Sequence, residues 1–276
     1  MGRSHLPRAA AACVLALIVT GGLAFAQFRG GGDGNTPPVF APDPLPDRDF
    51  VVCRLMYTSV VREPSGAGWR TDYPYGEINL TIRFSELTRT PVSQSGGREP
   101  NHYVVRLTDD ELFQCPVIIM QEVGRLLFSV EDAALLRTYL LKGGFLWVDD
   151  FWGSYAWDVW ESEIRKVFPA TDYPIVDLPS SHPLFHTMFD LPGVPQIPGI
   201  GTFVSGRGTS ERGADSAQVH ARGIADAQGR VMVFMTHNTD VSDSWEREGE
   251  DPQYFYQFSI DGYRVAVNVL LYAMTH

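Results

Sequence analysis

From residue 50 onward, short apolar runs alternate with stretches whose apolar residues recur at helical spacing. Residues 50–57 (FVVCRLMY) are rich in β-branched and aromatic side chains and predict a strand. Over 76–87, Ile78, Leu80, Ile82 and Phe84 alternate, yet Leu80, Phe84 and Leu87 share one helical face, and a helix is the reading adopted. Residues 103–107 predict a short strand, and Asp109 and Asp110 open a helical turn that includes Leu112 and Phe113. Pro116 then leads into an apolar run over 117–120, short enough for a buried strand.

The next unit carries the strongest local signals. Ser129 is an N-cap with Asp132 at the capping-box position, and Ala133, Leu136 and Leu140 fall on one face. Gly143-Gly144 ends that helix, and 145–148 is an apolar strand running into Asp149-Asp150. Strand 117–120, helix 130–142 and strand 145–148 make a β-α-β unit, which implies parallel strands. Asp158 is expected to cap a helix that buries Trp160, Ile164, Val167 and Phe168. Residues 231–235 predict a further strand. Asp261 is expected to cap a C-terminal helix with Val267, Leu270, Leu271 and Met274 at core spacing. The class is α/β with a mainly parallel sheet flanked by helices.

The first 26 residues have a different pattern. Arg3 and Arg8 precede an apolar stretch over 9–23, and Ala24-Phe25-Ala26 supplies a small-x-small cleavage site. A signal peptide over 1–26, cleaved before Gln27, is the expectation, with an uncleaved anchor as the alternative. It places the protein in the bacterial periplasm or outside the cell, with membrane contact only through an uncleaved N-terminus. Residues 27–48 hold Gly30-Gly31-Gly32 and prolines at 37, 38, 42, 44 and 46, and read as a disordered linker. Residues 49–276 then form a single α/β domain.

Composition narrows the partners. The 276 residues are 44% hydrophobic and 20% charged, as in soluble globular proteins, with a formal charge of -11. Without Arg3 and Arg8 the charge becomes -13. A chain this acidic repels nucleic acid and anionic membrane surfaces, and leaves cations or neutral polar ligands as candidates. Beyond the leader only Cys53 and Cys115 remain. They read as two small buried hydrophobes, with a disulfide as the alternative in an oxidising compartment.

Ligands of open parallel sheets bind beyond the carboxyl ends of the strands. Asp149, Asp150 and Trp152 follow strand 145–148, and His237, Asn238, Asp240 and Asp243 follow strand 231–235. Arg70 and Asp72 lie in the loop after strand 50–57, and His182 begins a His-Pro loop. Paired carboxylates can hold a cation or act as a base, although Asp after a strand also caps turns. The imidazoles of His182 and His237 can move protons or serve a hydrogen-bonded scaffold. The candidate ligand-binding set is therefore Asp149, Asp150, Trp152, His182, His237, Asn238 and Asp240. No cofactor is identified; for a divalent cation, Asp150 and Asp240 are the expected oxygen ligands. Nucleophile-elbow, phosphate-loop and His-Glu-x-x-His motifs are missing from the sequence.

Several of these pieces together resemble one family. They are 50–57, Trp69 with Asp72-Tyr73-Pro74, Leu112-Phe113, 116–120, Gly143-Gly144-Phe145 through Asp149-Asp150, and His182-Pro183-Leu184-Phe185. His237-Asn238 with Asp240 and Trp245, and residues 268–274, complete the set. The chain resembles domain-of-unknown-function family 4159, bacterial exported or membrane-associated proteins, over about residues 50–276. That resemblance implies a fold similar to class I glutamine amidotransferases and ThuA-like sugar-utilisation proteins, a flavodoxin-like three-layer sandwich. Where amidotransferases carry a nucleophilic cysteine, this chain has Asp149-Asp150, so glutaminase activity is not expected. The ThuA-like similarity implies a polar, carbohydrate-related cleft. The expected function is binding of a small polar ligand or an envelope protein partner. One alternative is a hydrolase or isomerase acting on a sugar-like substrate, with Asp150 or His237 as base. A second alternative is an interaction module of an envelope assembly.

Overall fold

The computed structural model of the chain describes residues 36–60, 67–97 and 99–276. The expected signal peptide over 1–26 lies outside the described residues. The strands are β1 (Val52–Leu55), β2 (Thr58–Ser59), β3 (Val104–Val105), β4 (Val117–Gln121), β5 (Leu126–Leu127), β6 (Phe145–Phe151), β7 (Val176–Asp177), β8 (His220–Ala225) and β9 (Val231–His237). The helices are α1 (Tyr75–Thr88), α2 (Val130–Leu141), α3 (Gly153–Val167), α4 (Ile200–Val204), α5 (Asp243–Glu246), α6 (Pro252–Tyr254) and α7 (Ile260–Thr275). A π-helical turn, Phe255–Ser259, joins α6 to α7.

Seven strands form one sheet in the order β3-β1-β4-β6-β9-β8-β7. β3, β1, β4, β6 and β9 run parallel, whereas β8 is antiparallel to β9 and to β7. β2 and β5 pair as a separate antiparallel ribbon. The central strands are apolar on both faces because both faces are covered. On one face Leu55, Ile118, Met120, Val148 and Met235 pack with Leu136 and Leu140 of α2 and Trp160 and Ile164 of α3. On the other, Val52, Ile119, Trp147 and Phe234 pack with Leu80 and Phe84 of α1 and Val267 and Leu270 of α7. This is a three-layer α/β architecture. Among the described residues, no helix is long and apolar enough to cross a membrane.

The ambiguous stretch over 76–87 is helical, within α1. Ser129 caps α2 through the reciprocal bonds of a capping box with Asp132. Other expectations need correction. The strand at 145–148 continues through Asp149 and Asp150 to Phe151, because its neighbours extend alongside it: Gln121 pairs with Asp149 and His237 with Phe151. His237 likewise lies within β9 rather than after it.

Two expected helix caps also fail. Asp158 sits inside α3, whose first turn is instead bonded from outside: Gly153 N–H donates to Asn238 Oδ1 and Ser154 N–H to Asp215 Oδ2. Asp261 caps nothing and pairs with Arg264. The C-terminal helical segment begins one loop earlier, where the Asp251 carboxylate accepts from the N–H groups of Gln253 and Tyr254.

Cys53 and Cys115 are joined in a disulfide, with Cα atoms 6.0 Å apart, in place of the two separate thiols favoured from the sequence. Their surroundings are apolar, as expected, and tertiary packing brings the two sulfurs together. Within the expected linker, Phe40 bridges to Val104 and its ring lies under the Arg106 guanidinium, so the segment is tied to the sheet edge at that point.

Candidate functional site

β4, β6 and β9 end on the same edge of the sheet because they are parallel, and an acidic cavity lies beyond their carboxyl ends. It measures about 210 Å³. Glu122 reaches it from the end of β4, Asp150 and Trp152 from β6, and Asp240 and Asp243 from the segment after β9. Thr71 and Asp72 enter from the turn before α1, and Gly199, Ile200, Gly201, Glu211 and Arg212 from the loop around α4. Arg247 closes one side.

The backbone is strained at these points. Asp72, Glu122 and Asp150 have φ of 63°, 48° and 51°, in the left-handed region that disfavours residues with a Cβ. At Asp150 the strain coincides with the break in register between Val148 and Phe151 of β6, which points successive side chains away from regular alternation. Such conformations persist only where surrounding contacts hold them, and they concentrate at functional sites.

A buried polar network holds the floor. Arg54, in β1, donates from Nε to Glu77 Oε1 at 2.6 Å and from Nη1 to Gln121 Oε1. Gln121 Nε2 in turn donates to Asp72 Oδ2 at 2.6 Å and to Ser242 Oγ. Asp149 lies beneath the cavity, not in its lining. Its Oδ1 accepts from Thr236 Oγ1 at 2.5 Å, and its Oδ2 from the N–H and Oγ of Ser242 at 2.8 and 2.9 Å. Burial pushes its pKa up to about 6 even against these bonds.

In the lining itself the charges crowd. Asp150 Oδ1 accepts from Trp152 Nε1 at 2.9 Å, a side-chain partner rather than the backbone N–H of a cap. Burial first, and then the charges of Glu122, Asp72 and Glu211, hold its pKa well above the usual carboxylate range. Asp240 Oδ1 accepts from Ser242 Oγ at 3.2 Å and from Asp243 N–H at 2.9 Å. Its pKa is raised by burial and by Asp150, Asp243 and Asp72. Asp243 accepts from Ile200 N–H and is pushed up to about 7 by burial and by Asp72, with Arg247 opposing.

The two expected histidines lie elsewhere. His237 turns to the α3 face, where Nε2 donates to Gly153 O at 3.1 Å and the ring stacks on Phe151 at 4.8 Å. Trp157, His220 and Arg222 surround it, and burial lowers its pKa to about 4. Asn238 links α3 to the 218 loop, accepting from Gly153 N–H and donating to Gln218 O at 2.7 Å. His182 is at the opposite edge of the sheet. Its Nδ1 accepts from Leu184 N–H, and its ring lies 5.8 Å from Tyr272. The Tyr272 hydroxyl accepts from Val231, the first residue of β9. The expectation that His182 reaches the same rim as Asp150 is therefore corrected.

The expected set thus divides. Asp150, Trp152 and Asp240 line the cavity, Asp149 supports it, and His237, Asn238 and His182 do not enter it. Glu122 was missed, although it follows β4 by the same strand-end rule that picks Asp149. Glu211, Arg212 and Arg247 come from a loop and a helix end with no recognisable motif. For a metal ion, the carboxylates that bring one oxygen each within 4.8 Å of one another are Asp72, Asp243 and Glu246. Asp150 and Asp240 belong to no such group among the described residues. The Arg247 guanidinium already lies against that triad, 3.4 Å from Asp243 Oδ1 and in contact with Glu246 Oε2.

No curated protein matches the chain. A family model described as "Domain of unknown function (DUF4159)" matches residues 52–274, and the chain belongs to that family.

Proposed function

We propose that the protein binds a small polar, carbohydrate-like ligand in the acidic cavity, in a periplasmic or extracellular setting. The observation that carries this reading is the convergence around one cavity of Asp72, Glu122 and Asp150, at strained backbone positions, with Asp240 and Asp243 from the segment after β9. Crowded buried acids disfavour the empty folded state, and a ligand that donates hydrogen bonds to them relieves that cost. The Cys53–Cys115 disulfide supports an oxidising compartment. A panel of sugars and polyols, screened by thermal shift with and without divalent cations, tests the reading. Binding that Asp150→Ala abolishes at an unchanged melting temperature supports it; a ligand that binds the Asp150→Ala protein equally well sinks it.

One observation favours an enzymatic version of this site. Asp150 and Asp240 line the same cavity, and burial with neighbouring acids, Asp150 among those acting on Asp240, holds the pKa of each well above the usual carboxylate range. A protonated carboxyl beside an ionised one is the pairing that hydrolysis or isomerisation of a sugar-like substrate requires. Asp150 is then the acid–base group, and His237 is not, because its ring points to the α3 face. Turnover of a bound ligand that Asp150→Asn stops without loss of binding distinguishes catalysis from binding alone.

A further inference from the structure

We infer that the ligand of the acidic cavity carries a primary ammonium group, an inference that rests on the polar-ligand reading of that cavity. Six carboxylates, Asp72, Glu122, Asp150, Glu211, Asp240 and Asp243, line it, against the cations Arg212 and Arg247. Asp150 and Asp240 are only 7% and 6% exposed. For each of them the structure shows donors to one oxygen alone: Trp152 Nε1 to Asp150 Oδ1, and Ser242 Oγ with Asp243 N–H to Asp240 Oδ1. The second oxygens of two deeply buried carboxylates are thereby left to whatever enters the cavity. Without a protein donor, these oxygens are complemented by a ligand that donates hydrogen bonds.

Spacing separates an organic cation from a metal ion. A bare divalent ion gathers oxygens at roughly 2.0–2.6 Å, which places its ligand atoms close together. Among the described residues only Asp72, Asp243 and Glu246 meet that condition, and the Arg247 guanidinium already pairs with two of them, Asp243 and Glu246. Asp150 and Asp240 stand outside that group. Arg247 displays the mode of recognition from within the chain, a nitrogen cation set among carboxylates. Gly199 keeps the space open: a Cβ there would lie 2.9 Å from Glu211 Oε1, 3.5 Å from Asp240 Oδ2 and 3.7 Å from Asp243 Oδ2. The cavity, about 210 Å³, is smaller than the roughly 300–1,000 Å³ of drug-sized sites, so the ligand is of about monosaccharide size.

Glucamine and sorbitol test this directly, since they differ only by an amine in place of one hydroxyl. Calorimetric titration of the purified full chain is expected to show glucamine binding roughly tenfold or more tighter than sorbitol, with a preference that shrinks as salt rises. The Asp150→Asn/Asp240→Asn double variant, checked for folding by circular dichroism, is expected to lose that preference. Gly199→Ala removes none of the six acids but sets a methyl group against the Glu211 carboxylate and narrows the cavity, and it is expected to weaken glucamine binding. Equal affinity for the two compounds overturns the ammonium assignment and leaves the polar-ligand reading standing. Calcium binding tighter than glucamine overturns it in favour of a metal. Glucamine affinity unchanged in both variants overturns it by placing the amine elsewhere. No binding of glucamine overturns it as well, while the wider panel of neutral ligands judges the polar-ligand reading separately.

Discussion

β6 and β9 end side by side, and two polar clusters grow from those ends in opposite ways. On the α3 face, His237 and Asn238 are closed upon the protein: both Asn238 amide atoms have partners, and His237 is stacked and bonded to Gly153 O. On the cavity side, Asp150 and Asp240 are equally buried, yet each has donors on only one oxygen, among like charges. Burial and polarity do not distinguish the two clusters, since both are built of buried polar side chains. Completion of hydrogen bonding does. The closed cluster holds α3 against β9; the open one is available to a ligand.

The largest test of the comparison removes the counter-ion under the cavity. Arg54→Met leaves Glu77 buried without its cation, since the pair is 1% exposed on both sides. A loss of about 3–5 kcal/mol in unfolding free energy, read by urea titration, is expected. A loss below about 1 kcal/mol would show that the floor is less closed than its bonds imply.

The two clusters should also respond to pH with opposite sign. His237 has a folded pKa near 4, below the ordinary 6.5, because burial disfavours its charged form. The unfolded chain then binds the extra proton between those values. The stabilising contribution is complete above 6.5 and is lost as pH falls towards 4, by roughly 2–3 kcal/mol. Asp149 and Asp243 are raised to about 6 and about 7 from the ordinary 3.8. Their contribution is complete below 3.8 and is lost as pH rises through 6 to 7. Melting temperatures across this range should fall less on the acid side for His237→Phe than for the parent chain. Asp243→Asn should reduce the loss on the neutral side. Identical profiles for both variants would remove the contrast.

The smallest effect concerns the open cluster alone. Asp150→Asn removes an acid surrounded by Glu122, Asp72 and Glu211 while preserving its shape. A gain of about 1 kcal/mol in stability is expected, as at other sites where function is kept at the expense of stability. The matching change in the closed cluster, Asn238→Asp, should destabilise, because an ionised carboxylate cannot donate to Gln218 O. Measured melting temperatures that shift in the same direction for both substitutions would break the distinction.

Much of this architecture is legible along the chain. The apolar runs of β4 and β6, the Ser129–Asp132 box and the Gly143-Gly144 stop are local signals, and each element formed where its own residues favour it. The Asp158 and Asp261 caps were misplaced because an Asp before an apolar period has the same local appearance whether or not a helix already runs through it. Here α3 is started by Asn238 and Asp215, 85 and 61 residues away in sequence.

The site shows the same division. That the strands are parallel follows from the β-α-β pattern, and parallel strands place Asp150 and Asp240 at one edge. Side-chain direction does not follow. His237 turns away because its position in β9 pairs with Phe151 and faces α3, and His182 lies at the amino edge because its loop docks on Tyr272. Glu211 and Arg212 reach the cavity only because the loop around α4 folds back over it. The sequence by itself therefore determined the α/β class, the parallel edge and the acidic character of that edge, since periodicity, capping and charge are local properties. Tertiary structure decided which acids share a cavity, which oxygens lack donors and whether the two cysteines join, because those depend on contacts between residues far apart in the chain.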